Sequence, residues 1–114
     1  MTKVVQEKQI IVYADANGTE PFSEWIDNLR DVIGRKRIFT RIDRLAHGNY
    51  GDCESVGEGV KELRMFFGSG YRVYFGEHGS KLVVLLSGGN KGTQPEDIKQ
   101  AKLYWKEYLK HEKI

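Results

Sequence analysis

Disulfides are the first thing the sequence excludes: Cys53 is the single cysteine in 114 residues, so no internal bridge can staple the chain. The same shortage fits a reducing cytoplasm. Long apolar runs are missing too. The longest, Leu82 to Leu86, falls well short of the roughly 20 residues that a membrane span needs. The opening residues Met1-Thr2-Lys3-Val4-Val5-Gln6-Glu7 hold no apolar signal-peptide core, so the expectation is a cytoplasmic protein that is neither exported nor membrane-bound. Histidine is scarce. His47, His78 and His111 show no ligand spacing, and two of them stand beside turn glycines, which fits loop histidines. No metal site, no Cys–His nucleophile and no cofactor is expected.

A large excess of either charge is also absent. Lys and Arg number 18 against 16 Asp and Glu, for a formal charge of +2. The distribution carries more than the total. Arg35, Lys36, Arg37, Arg41 and Arg44 crowd one segment with Asp43 as its acid, and Lys99, Lys102, Lys106, Lys110 and Lys113 dot the C-terminal part. Asp52, Glu54 and Glu58 gather between them. Basic blocks of this kind attract phosphates or an acidic partner, although the lysines fit better as the solvated face of a helix. With 39% hydrophobic and 30% charged residues the chain reads as one ordinary globular domain over 1–114.

Periodicity supplies the elements. Gln9 to Tyr13 is β-prone and ends in the turn Asp15-Ala16-Asn17-Gly18. Thr19 as cap and Pro21 in the first turn predict a helix whose stripe is Phe22, Trp25, Ile26 and Leu29. A second helix carries Ile38, Ile42 and Leu45 on one face, exits at His47-Gly48-Asn49, and forms a helical hairpin with the first around Gly34. Residues 49–59 read as a glycine-rich loop. Three strands then follow, at 60–67, 71–77 and 81–87, joined by Gly68-Ser69-Gly70 and His78-Gly79-Ser80. The last is apolar on both faces and is expected in the middle of the sheet. After Gly88-Gly89-Asn90-Lys91-Gly92 a closing helix begins near Pro95, with Glu96 and Asp97 at its N-terminus and Ile98, Ala101, Trp105 and Tyr108 as its stripe. The expected fold is α+β, ordered β-α-α-β-β-β-α, an antiparallel meander with all helices on one face. Trp25 and Trp105 are core candidates.

Strand alternation then assigns an open face. Leu63, Met65, Val73 and Phe75 point to the core, and Glu62, Arg64, Phe66, Arg72 and Tyr74 point away. Arg64, Arg72 and Tyr74 would gather there, with Lys91 closing one end, as a concave basic patch suited to phosphates and bases. Cross-strand pairing, with Glu62 neutralising one arginine, explains the same pattern without a ligand.

The stretch Val56-Gly57-Glu58-Gly59-Val60-Lys61-Glu62-Leu63-Arg64, followed by Gly68-Ser69-Gly70-Tyr71-Arg72-Val73-Tyr74-Phe75, resembles the phage-derived, HigB-like killer proteins of the RelE/ParE toxin superfamily. Pro21-Phe22-x-x-Trp25-x-x-x-Leu29, Gly48-Asn49-x-Gly51-Asp52 and Leu86-x-Gly88-Gly89-Asn90-Lys91-x-Thr93-Gln94-x-x-Asp97-Ile98 extend the resemblance over most of the chain. It implies a RelE-like fold and a toxin of a type II toxin–antitoxin system. Such a toxin is a metal-independent endoribonuclease that cuts messenger RNA on the ribosome and blocks translation. By the same resemblance Arg64, Arg72 and Lys91 are catalytic, binding the scissile phosphate and stabilising its charge. Lys61 grips substrate, Tyr74 stacks on a base, and Asp97 stands at the RNA, as a base or simply as a helix N-terminal acid. The general base stays open, because relatives place a tyrosine or acid at the last helix and no tyrosine precedes Tyr104 here; His47 at a helix exit is poorly placed for it. The implied partners are the ribosome with its messenger and a helix-turn-helix antitoxin. The alternative within the superfamily is a ParE-type binder that poisons DNA gyrase without catalysis, and a third is a degenerate toxin that only binds.

Overall fold

The computed structural model describes residues 7–112. Within them the chain runs β1 (Gln9–Val12), α1 (Pro21–Asp27), α2 (Val32–Ala46), β2 (Cys53–Gly57), β3 (Val60–Arg64), β4 (Tyr71–His78) and β5 (Leu82–Asn90). A single 3-10 turn at Lys91–Thr93 then leads into α3 (Gln94–Glu112). The first six residues, read above for a signal peptide, and Lys113 of the basic C-terminal set lie outside the described residues. Among those described, no helix is long and apolar enough to cross a membrane.

The fold is α+β, with a five-stranded sheet ordered β1-β5-β4-β3-β2. β2 to β5 pair antiparallel in chain order, but β1 joins β5 in parallel, with Gln9 opposite Leu82, so the sheet is mixed rather than antiparallel throughout. A further correction concerns residues 49–59. Half of that expected loop is β2, which turns into β3 through Gly57, Glu58 and Gly59 with φ of 98°, 54° and 84°. Three consecutive left-handed residues reverse the chain there, and a glutamate between the glycines hid the hairpin.

The helices do not share one face. Phe22 and Ile26 of α1 and Ile38, Ile42 and Leu45 of α2 bury Leu63, Met65, Val73, Phe75 and Val83 on one side of the sheet. Ala101, Trp105 and Tyr108 of α3 bury Val60, Tyr74, Val84 and Leu86 on the other. β5 is therefore paired on both edges and covered on both faces, which is why its sequence is apolar without alternation. That two-sided run already argued against an open face.

Local chemistry sets several boundaries away from the expected ones. Gly34 does not separate the first two helices; it sits in the first turn of α2, where its N–H donates to the Asp31 carboxylate at 2.8 Å. Asp31 is the N-cap, and it also takes the Tyr71 hydroxyl at 2.8 Å. Glu20 rather than Thr19 precedes α1, without a side-chain cap, and α1 ends before Leu29, which still packs on the core. β3 stops at Arg64, and β5 absorbs Gly88, Gly89 and Asn90 instead of ending at Ser87. The cap before α3 is Asn90, whose side chain accepts from Gly92 and Thr93 N–H groups. Glycine is required where helix side chains lie flat on the strands. The Trp25 ring covers Gly88 on one face and the Trp105 ring covers Gly76 on the other, each so close that a Cβ would overlap it.

Gly76→Ala is expected to lower the unfolding free energy by about 1–3 kcal/mol through overpacking against Trp105. Urea unfolding followed by tryptophan fluorescence measures it, and an unchanged midpoint would show that the indole does not rest on this strand.

Candidate functional site

Pleat and register bring the chemistry together on the α3 face. One cross-strand row runs Glu54, Glu62, Tyr74, Ser87, and the next runs Arg64, Arg72, Gly89. A register shift after Tyr74 places Ser87 opposite it while Phe75 still meets Leu85, so β5 carries an extra residue at this point. Two arginines directly opposite each other repel unless an anion lies between them. Glu62 is that anion.

Its carboxylate is fully buried and gathers four side chains. Arg64 Nε donates to Oε1 at 3.0 Å, while the Tyr74 hydroxyl at 3.0 Å and Gln94 Nε2 at 2.8 Å donate to Oε2. Arg72 Nε stands 3.7 Å from Oε2. Burial alone would raise the Glu62 carboxyl, but the bonds from Gln94, Arg64 and Tyr74 and the charge of Arg72 hold it below the usual carboxylate range. The Tyr74 phenol moves the other way, pushed up by burial and by the Glu62 charge beside it. Arg64 is anchored twice, since its Nη2 also donates to Glu54 at 2.6 Å.

Arg72 is held differently. The residue is 8% exposed, and among the described residues its buried Nε has no hydrogen-bond partner. Ser87 Oγ, also buried, has none either. Asp97 lies over Gly89, the register partner of Arg72, so closely that only glycine fits beneath it. Its carboxyl is pushed up, chiefly by burial and further by Glu96, against a bond from the Thr93 hydroxyl that lowers it. Lys91 is exposed at the edge of this group, where its N–H meets the Ser69 carbonyl at 3.4 Å at the tip of the β3–β4 hairpin.

The structure thus brings Arg64, Arg72 and Asp97 together, with Lys91 at the margin. It separates the others. Lys61 points to the opposite face, where its Nζ bonds Glu77 at 2.7 Å and lies 5.3 Å from the Tyr50 ring, because β3 alternates between Lys61 and Glu62. Tyr74 is fully buried under α3, so it cannot stack on a base. The open basic face expected from alternation is a sheltered ion cluster at the entry of α3, and Glu62 serves both arginines rather than one. Gln94 stands in the motif at the closing-helix entry, but only the docking of α3 aims it at Glu62. His47 engages Asp43 and Glu7. Among the described residues no group of His, Cys, Asp and Glu is placed to hold a metal ion.

A carboxyl held below its unfolded value stabilises the fold above the ordinary carboxylate range, at roughly pH 4, and stops doing so as pH falls through its lowered value. Glu62→Gln is expected to cost about 3–5 kcal/mol at neutral pH, as breaking a buried ion pair does. The gap to wild type should begin to narrow as pH falls below the ordinary glutamate range, at roughly pH 4, and close only as pH drops through the lowered value of Glu62. Denaturant titrations across that range test this, and equal stability at neutral pH would deny Glu62 its role.

No protein-family profile matches the chain. It is 48% identical over 85 residues to a Haemophilus influenzae protein described as uncharacterized, an alignment that spans 75% of this chain and 86% of the relative. Identity at that level over that share means one fold and one ancestry, so the chain belongs to the same protein family as this Haemophilus influenzae protein.

Proposed function

We propose that the chain is a HigB-like toxin of the RelE/ParE superfamily, an endoribonuclease that cuts messenger RNA in the ribosome and is restrained by a helix-turn-helix antitoxin. The observation that carries this is Arg72: a sheltered guanidinium beside Glu62, whose buried Nε has no hydrogen-bond partner among the described residues. A buried unmet donor costs stability, and an anionic ligand beside the guanidinium would offset that cost through its charge. The order of elements, with two helices ahead of the antiparallel strands and a closing helix, supports a RelE-like architecture.

The reaction needs no group beyond the RNA and side chains. The 2′-oxygen of one nucleotide attacks the adjacent phosphorus, the bond to the 5′-oxygen breaks, and a 2′,3′-cyclic phosphate remains. The 2′ proton leaves to a base, and the departing 5′-oxygen takes a proton. Arg72, with Arg64 and Lys91, would hold the phosphate and oppose the charge that grows on it. Asp97 lies over Gly89 in the same row. Its raised proton affinity suits it to carry a proton at neutral pH better than an ordinary aspartate.

One observation favours the second reading, a ParE-type gyrase poison. Glu62 and Glu54 already neutralise Arg64, as a purely structural cluster would.

Wild-type and Arg72→Ala proteins, expressed in a bacterium, separate the two. Growth arrest with translation-dependent cuts in messages is expected from the wild type, and cutting should fall by roughly a hundred- to a thousandfold in Arg72→Ala, the usual loss of one preorganised donor. Circular dichroism of the purified variant checks that it folds. Arrest with intact messages and induced DNA damage would move the assignment to gyrase, and absence of arrest would overturn the toxin reading.

A further inference from the structure

One flank of α2 repeats arginine without acid. Arg37, Arg41 and Arg44 fall at i, i+4 and i+7, spanning about 10 Å of helix at 1.5 Å per residue. With Thr40 and Phe67 they line a groove of about 250 Å³. Arg41 is committed to the fold, donating to the carbonyls of Arg64 at 2.7 Å and of Tyr50 and Asp52 at 3.2 Å each. Arg37 and Arg44 are exposed and form no ion pair among the described residues. The nearby acids are occupied: Asp43 lies against His47, and Asp31, which feels Arg37 at longer range, binds Gly34 and Tyr71.

The floor of the groove is aromatic. The Arg37 guanidinium sits 5.1 Å from the centre of the Phe67 ring, and the adjacent Phe66 is 81% exposed. Both phenylalanines belong to the β3–β4 hairpin tip, whose other end, Gly70, packs against the Cβ of Lys91 at the edge of the Arg72 group. The tip therefore joins two cationic surfaces that lie on opposite faces of the sheet.

We propose that the Arg37–Arg44 flank and the Phe66–Phe67 tip bind single-stranded RNA, independently of the ribosome. The arginines take phosphates, the exposed Phe66 ring takes a base, and the half-buried Phe67 ring seats the Arg37 guanidinium. Planar guanidinium beside exposed aromatic matches the alternation of phosphate and base in a single strand, and such stacking tolerates any sequence. This deepens the nuclease reading by giving the strand a second hold across the hairpin tip from Arg72. Its test needs binding alone and is blind to whether cutting occurs.

Fluorescence anisotropy of a labelled single-stranded RNA of about 12 nucleotides, titrated with the purified full chain, tests it. Arg37→Ala/Arg44→Ala should weaken binding by about tenfold or more and lower the slope of log affinity against log salt by about 1.4, for two lost phosphate contacts on a single strand. Phe66→Ala should weaken it by roughly fivefold or more through lost stacking. Both arginines and Phe66 are exposed, so these variants keep the core. Wild-type affinity in the double variant overturns the proposal. Binding of an Asp/Glu-rich peptide that is lost in the double variant, with no binding of the RNA by wild type, also overturns it and assigns the flank to an acidic protein partner.

Discussion

Glu62 keeps its charge with no surface exposed, and the arrangement around the entry of α3 follows from that constraint. Removing a carboxylate from water costs several kcal/mol, and its partners must return most of it through geometry. Arg64 and Arg72 come from adjacent strands in register, Tyr74 from the neighbouring row, and Gln94 from the first residue of α3. None of these positions can shift alone. The cluster ties the β3–β4 pair to α3 and aims two guanidiniums that would otherwise repel.

Close approach is the second condition, and glycine supplies it. Trp105 lies on Gly76, Trp25 on Gly88, and the Asp97 carboxylate on Gly89. Each removes a Cβ from a strand so that a bulky or charged group from the covering layer can reach the backbone. The first two seat helices on opposite faces. The third brings a carboxyl into the arginine row, where burial raises its proton affinity.

The arginines of this chain divide by what holds them. Arg41 satisfies three carbonyls and fixes the loop that leads into β2. Arg64 is neutralised by two glutamates. Arg72, Arg37 and Arg44 retain donors that other side chains leave unmet. Counting charge along the sequence treats all of them alike; only the contacts separate cations engaged by the fold from those with donors left unmet.

Much of the fold was legible in the chain because periodicity is local. The stripes Phe22–Ile26, Ile38–Leu45 and Ala101–Tyr108, the hairpin turn at Gly68-Ser69-Gly70 and the alternation of Leu63 with Arg64 each follow from backbone geometry within a few residues. The alternation also put Glu62, Arg64, Arg72 and Tyr74 on one face, as the contacts show. What the sequence left open was which layer covers that face, because a stripe on a helix says that it buries, not where. The docking of α3 opposite α1 and α2 turned an expected open patch into a sheltered cluster, buried Tyr74 and brought in Gln94. Composition, the type of most elements and the facing of the strand residues followed from the chain alone, whereas β2 lay in a stretch read as a loop. The environment of each charge, and with it the distinction between a cation held by the fold and one with unmet donors, was decided by long-range packing, which no local pattern encodes.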